Sequence, residues 1–415
     1  MIFFHQYLEP LIEPIFLTKH RKTGGGDLKN NHYNNDMRIN IHSEIQQIPA
    51  NEWNSLINDN NPFLRHEFLT ALENNDCVSD EFGWHPCHIA IYEDDELIAG
   101  MPLYSKMNSY GEFVFDHAWA DAYQRNNLSY FPKLVSSIPY TPASGQRLLC
   151  KSDRKDEVFP LLIQTIQNFA QQQDYSSFHC LFSQSDEQDW MEDYGLLTRH
   201  DCQFHWHNQD YSSFDDFLAK LDKRKRKNIR QERRRVAQQE ITLRVLDGSS
   251  PSNTATNRDW KDFARFYQQT FAEKHGTATL NEGFFKEVAK NLPDQTILVL
   301  ADTPDGRCIA GSLMFTSDTT LYGRHWGCSE QIDKLHFEAC YYQGIEYCIK
   351  HKLQTFEPGA QGEHKIARGF IPTLTRSSHW LNNSPFEESI KNFTQHEQDG
   401  VAHYMKSLKS PYKDC

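Results

Sequence analysis

Residues 358–370, PGAQGEHKIARGF, set Glu363, His364, Lys365 and Arg368 within six positions, among Gly359, Gly362 and Gly369. A carboxylate, an imidazole and two cations so close together offer a proton acceptor, a proton donor and an anion clamp. Glycines let the backbone turn tightly and come near a ligand. A solvated loop with glycine at its turns is the plainer alternative for the same composition.

Other groups with chemical capacity lie nearby in the chain. YGRHWG carries Arg324, His325 and Trp326, and strand alternation would send Arg324 and Trp326 to one face and His325 to the other. LHFEACYYQGIEY reads as a helix with Glu338, Tyr341 and Tyr342 on one side and His336 with Cys340 on another. His336 with Cys340, and His205 with His207 in CQFHWH, lack the further ligands of a tetrahedral site, so no metal is expected. In the first half, Asp116, His117, Lys133, Thr141 and Arg147 are candidates for an acceptor pocket in which Lys133 and Arg147 clamp phosphate.

These groups need a scaffold, and 415 residues predict two compact units with two cores. No apolar run approaches the ~18 residues that span a bilayer. Glu9, Pro10, Glu13 and Pro14 interrupt the apolar start, so no secretory signal is expected. The ten cysteines have no CxxC pairing and read as reduced thiols, which places the protein in the cytoplasm. A net charge of −13 argues against general nucleic-acid binding, yet residues 220–235 hold ten Lys or Arg against two acids. That local charge of +8 leaves −21 for the rest of the chain.

Residues 1–37 read as a disordered tail and 38–208 as a first unit. In it, PFLRHEFLTALEN predicts a helix opened by Asn61 and Pro62, HIAIY and LIAGMPLY a hairpin, and GEFVFDHAWA a third strand. Residues 209–240 read as one long basic helix, with Lys223, Lys227, Arg230 and Arg234 on one face and Phe217, Leu221, Arg224 and Asn228 on another. Residues 241–415 repeat the order of the first unit, from FARFYQQTFAEKH and NEGFFKEVAKN through TILVLA, CIAGSLMFTS and TTLYGRHWG. Ile98-Ala99-Gly100 matches Ile309-Ala310-Gly311 at an offset of 211, and each third strand leads to a tryptophan, Trp119 and Trp326. The chain therefore reads as a duplicated α+β unit with a mostly antiparallel sheet flanked by helices.

The duplicated unit resembles the GNAT acyltransferase fold, and the tandem pair with a basic helical segment resembles the Fem-type peptidoglycan aminoacyltransferases. The motifs FDHAWADAY, YFPKL, PYTPASGQRLL, YGRHWG, LHFEACYYQGIEY and PGAQGEHKIARGF are similar to those of the FemAB-like predicted N-acyltransferases of "peptidoglycan biosynthesis/recognition". The chain departs from CoA-dependent GNAT enzymes in one respect: neither half has the Q/R-x-x-G-x-G/A loop that holds a pyrophosphate at a helix N-terminus. The Fem resemblance implies aminoacyl-tRNA as donor, which would give the basic helix a use, with Lys223, Lys227 and Arg230 contacting RNA. Acyl-CoA is the other donor considered.

What the resemblance implies is transfer of an acyl or aminoacyl group to an amine of a small molecule or cell-wall precursor, with the second unit carrying the chemistry. Such a reaction deprotonates the amine, stabilises an oxyanion and protonates the leaving group. Glu338, His364 or Glu363 would serve as base, Tyr341 or Tyr342 as acid, and Lys365 or Arg368 as oxyanion or phosphate clamp. Fem-type enzymes have an important cation before a Gly-Phe pair, a position that Arg368 resembles. Arg324, His325, Trp326, Gln361 and Glu363 complete the expected substrate contacts, with Lys133 and Arg147 in the first unit. A non-catalytic protein that binds peptidoglycan precursors or glycans, and an RNA-binding module, are the rival readings.

Overall fold

In the computed structural model the described residues are 37–413 except Gln361. The expected tail, apart from Met37, and the candidate Gln361 lie outside them. Met37 itself opens the first strand.

The described chain forms fifteen strands in two sheets. The smaller sheet joins β1 (Met37–His42), β3 (His88–Glu93), β4 (Glu96–Met101) and β7 (Leu149–Cys150) in that order. The larger runs β10 (Thr242–Leu246), β11 (Thr296–Asp302), β12 (Cys308–Thr316), β13 (Thr320–Cys328), β14 (Thr355–Glu357), β9 (Leu197–His207), β15 (Ile371–Leu381), β8 (Ser177–Leu181), β6 (Lys133–Ser136), β5 (Tyr104–Lys106) and β2 (Trp84–Pro86). Only β13 with β14 and β6 with β8 pair in parallel; every other ladder is antiparallel.

The matched glycines show why the duplicated hairpins look alike. A Cβ at Gly100 would stand 2.6 Å from the Trp53 ring, and one at Gly311 would stand 2.9 Å from Phe263. In each half a helix, Ala50–Ser55 or Asn257–Glu273, presses an aromatic ring onto the strand at its glycine. Substitution of either glycine would force apart a helix and a sheet.

The two cores that the length predicted are not divided cleanly between the halves: one apolar cluster, from Ile39 to Leu196, lies within the first half, but strands and the largest cluster are shared. Strand β9, from the first half, lies beside β14, and β15, from the second, lies beside β8; β9 and β15 pair along Leu197↔His379 to His205↔Ile371. Each half thus completes the other's sheet. The largest apolar cluster also mixes the halves: Phe68 meets Phe284 at 5.5 Å and Phe63 meets Tyr322 at 5.0 Å, all edge to face. A cut near residue 208 or 240 divides the chain but not this sheet.

Three expected elements differ. The helix of PFLRHEFLTALEN starts at His66, because the Asn61 side chain accepts from the Phe63 N–H and holds a turn before it. The expected third strand, GEFVFDHAWA, is irregular up to Asp116 and then helical over His117–Arg125, so Trp119 sits on a helix and does not match Trp326. Asp116 is withdrawn from any sheet edge by its ion pair with Lys133. The single basic helix is two, Phe214–Lys220 and Lys223–Ala237. The break falls at Leu221, fully buried and extended, which bridges to Tyr412 while the Asp222 N–H donates to the Pro411 carbonyl at 3.2 Å.

Candidate active site

The site is set where two strands part. β13 and β14 pair only from Thr320↔Thr355 to Tyr322↔Glu357, after which β13 continues along β12 alone. Opposite β12 the register slips: Leu313 faces His325 and Met314 faces Gly323, so Arg324 is the extra residue of a bulge. The bulge upsets the alternation expected for YGRHWG. His325 packs edge-on against Tyr267 at 5.0 Å, a core histidine held down to about 3 by burial and the Arg324 charge. Trp326 turns to His336 at 5.3 Å. Arg324 leaves Nε and Nη1 buried without a hydrogen-bond partner, and burial lowers it to about 10.

Beside this bulge lies the glycine-rich segment. Glu363–Arg368 forms a short 3-10 turn closed by Gly369, whose φ of 94° favours glycine and whose Cβ would strike Phe217 at 2.6 Å. The turn carries Lys365 inward to 2% exposure, where Nζ donates to the carbonyls of Gly359 at 2.6 Å and Ala360 at 3.0 Å. Burial and the Arg324 charge bring Lys365 down to about 7. His364 stays at the surface, with Nε2 2.9 Å from the Tyr341 hydroxyl. Burial, Arg368 and Lys365 lower the imidazole, and burial raises Tyr341, so at neutral pH both are uncharged.

The helix facing this turn runs on through α-helical Leu335–Phe337, π-helical Glu338–Tyr342 and α-helical Gln343–His351. A π turn widens the helix locally and is often found at functional sites. Here it carries Glu338, Tyr341 and Tyr342.

Two sequence candidates are already engaged. Glu338 accepts from Arg233 at 2.9 and 3.1 Å, which ties down the proposed base. Arg368 donates to Glu232 at 2.7 Å and to the His364 carbonyl at 2.6 Å, with its guanidinium 3.4 Å over Phe337. Its charge is neutralised, so it braces the His364 turn instead of clamping an anion. Tyr342 donates to the same Glu232 and is likewise occupied. Glu363 is exposed and accepts from Tyr404 at 2.7 Å.

Sequence reasoning missed Glu232, Arg233 and Glu357. The first two dock the basic helix onto the site; the signal was an acid retained within a run of cations. Glu357 ends β14 where the strands part, accepts the Ser144 N–H at 3.2 Å and is raised to about 7 by burial, against the pull of Arg324 and Arg147. Nothing in its local sequence marks it.

The first-half candidates are not brought together as a phosphate clamp. Lys133 is fully buried and paired with Glu112 at 2.8 Å and with Asp116. Arg147 spends Nε, Nη1 and Nη2 on the carbonyls of Leu181, Gln146 and Ala143. Thr141 is buried and His117 exposed. On the basic helix, Lys223, Lys227, Arg230 and Arg234 are all exposed, whereas Arg224 and Asn228 face solvent too and form no apolar face with Phe217 and Leu221. Arg230 pairs with Asp215 at 2.9 Å; Lys223, Lys227 and Arg234 have no ion-pair partner among the described residues.

The family described as peptidoglycan biosynthesis/recognition, FemAB-like, matches residues 44–414. The chain belongs to the FemAB-like family. No curated protein matches it. Among solved structures, FemX is 12% identical, with a TM-score of 0.51 over 83% of this chain and 98% of FemX. L-PGS from Bacillus licheniformis is 11% identical, with a TM-score of 0.48 over 79% and 95% of the two chains. A tandem GNAT protein from the clavulanic acid biosynthesis pathway is 8% identical, with a TM-score of 0.41 over 84% and 99%. The FemX likeness carries the fold: this FemAB-like chain is an α+β protein with mostly antiparallel sheets flanked by helices.

Proposed function

We propose that this FemAB-like protein is a cytoplasmic N-acyltransferase that moves an acyl or aminoacyl group to an amine on a cell-wall precursor, with chemistry in residues 241–415. The observation that carries the reading is the pair of cations, half-buried Arg324 and buried Lys365, that form no ion pair among the described residues and lie beside the Tyr341–His364 hydrogen bond where β13 leaves β14. Attack of an amine on an ester or thioester carbonyl creates an oxyanion. Donors fixed in a dry site stabilise such charge strongly. Arg324 and Lys365 supply them, His364 takes the amine proton, and Tyr341, linked to His364, returns a proton to the leaving group. The family description supports the cell-wall substrate, and cysteines spaced without CxxC pairing support the cytoplasmic location.

This division of labour sets a pH profile. His364 must be neutral and Lys365 charged, so donor kcat/KM at saturating acceptor rises as His364 loses its proton and falls as pH passes the Lys365 value of about 7. Lys365→Arg should carry the falling limb upward. A rate that climbs steadily from pH 7 to 9 in the unaltered protein would reject Lys365 as the charged clamp.

Aminoacyl-tRNA is the donor favoured over acyl-CoA, because the exposed cations of Lys223–Ala237 are docked to the site by Glu232 and Arg233. Reversing Lys223, Lys227 and Arg230 to glutamate should remove tRNA binding, and neutralising them one at a time should reduce the salt slope by about one each. Filter binding across a salt series measures this; tRNA affinity indifferent to salt sinks it. Detection of tRNA binding without acyl transfer from any donor would favour the RNA-binding reading.

A further inference from the structure

A groove runs beneath the last helix, Glu387–Ser407, along β9 and β15, and reaches the start of the Glu363–Arg368 turn at Gly362 and Glu363. It has two lobes of about 620 and 250 Å³ that share Asp201, Glu397 and Val401. Together they approach the size of small-molecule sites. The lining holds three carboxylates, Asp201, Glu363 and Glu397. Glu397 is neutralised by Arg199 at 2.6 and 2.9 Å, and Arg376, which also lines the groove, is neutralised by Asp189 at 2.6 Å. Asp201 forms no ion pair among the described residues, although the Arg199 charge acts on it; its carboxylate accepts its neighbour's N–H, from Cys202 at 2.7 Å. Glu363 accepts the Tyr404 hydroxyl and forms no ion pair among the described residues.

A second observation is independent of these acids. Thr375, 4% exposed, lines the smaller lobe with Oγ1 lacking any hydrogen-bond partner. Buried hydroxyls are nearly always paired, so an orphan at a cavity wall marks a place for a donor from outside. A primary ammonium has three donors and no acceptor, which matches Asp201 and the Thr375 hydroxyl, while the Arg199 and Arg376 charges in the same lobe are matched by Glu397 and Asp189. Phe204 and Tyr404 supply an apolar wall and a ring face that also favour a cation.

We propose that this groove binds a ligand bearing a primary ammonium group on a short apolar body. The ammonium sits between Asp201 and Thr375, and the body lies along Val401 towards Phe204 and Tyr404. Partial desolvation and the Glu397 charge hold the Asp201 carboxyl above its ordinary range, a cost that a bound cation relieves. The site does not depend on acyl transfer, and its test needs no donor.

Isothermal titration of the full chain with 1,5-diaminopentane, and with glutarate as the anionic analogue of equal length, reads it directly. The diamine should bind and glutarate should not. Asp201→Asn should weaken the diamine at least tenfold. Val401→Trp, which fills the junction of the lobes without touching a charge, should abolish binding. Circular dichroism checks that each variant is folded; if Asp201→Asn is not, Val401→Trp and the glutarate comparison still decide. Equal binding of glutarate, no diamine binding, or diamine affinity unchanged in Val401→Trp would overturn the proposal.

Discussion

Replacing Lys365 by methionine should lower kcat/KM for acyl transfer by about 10²–10³-fold, the loss found when one donor to a developing oxyanion is removed. Methionine keeps most of the buried volume and deletes the charge. Lys365 is singled out because its charge has no carboxylate partner, whereas Arg368, four residues from His364, is matched by Glu232. The two cations therefore separate by experiment. Arg368→Met should act mainly through stability and the position of His364, because the charge it removes is already neutralised. The methionine at 365 leaves the Gly359 and Ala360 carbonyls short of a donor, at a cost of about 1–3 kcal/mol. Thermal unfolding measures that cost, and assays below the variant's transition keep it apart from the rate. A folded Lys365→Met variant with unaltered kcat/KM would remove Lys365 from the mechanism.

Lys133→Met should destabilise the protein by about 3–5 kcal/mol, the effect of breaking a buried ion pair from one side. Lys133 is fully buried between Glu112 and Asp116, at 3% and 2% exposure, and each acid already has one oxygen without a partner. Burial raises the Asp116 carboxyl, but Lys133 and His179 outweigh it and leave it well below the usual range. Without the lysine, two carboxylates face one another in a dry site. Glu112, raised to about 7 by burial even with Lys133 present, is the group that would take up a proton, so the variant should regain part of its stability as pH falls through neutrality. Urea unfolding at pH 8 and pH 6 tests both points. A loss under about 1 kcal/mol, with altered substrate binding instead, would return Lys133 to the acceptor pocket that the sequence suggested.

The elements of the second unit were legible because their signals are local. TILVLA, CIAGSLMFTS and TTLYGRHWG alternate or run apolar as strands do, and FARFYQQTFAEKH carries an apolar stripe at helical spacing. GEFVFDHAWA misled because its aromatics read as β-formers, while Asp116 is fixed by a lysine 17 positions away. The basic helix was overextended for the same kind of reason. Leu221 suits a helix by propensity, but the C-terminal segment at Pro411 and Tyr412 pairs with it and holds it extended.

By itself the sequence determined the matched hairpins, most strands and helices of the second unit, the family and the set of charged groups from which a site could be made. Only the tertiary structure decided which of those charges are free. Arg368 and Glu232 are 136 positions apart and Arg233 and Glu338 are 105 apart, and no local pattern announces either pair. Arg324 leaves Nε and Nη1 without a hydrogen-bond partner among the described residues because a one-residue bulge opposite Leu313 and Met314 coincides with the end of the β13–β14 ladder. Charge is a property of a residue, but neutralisation and desolvation belong to its surroundings. Those surroundings are assembled by β9 and β15, strands that each half lends to the other.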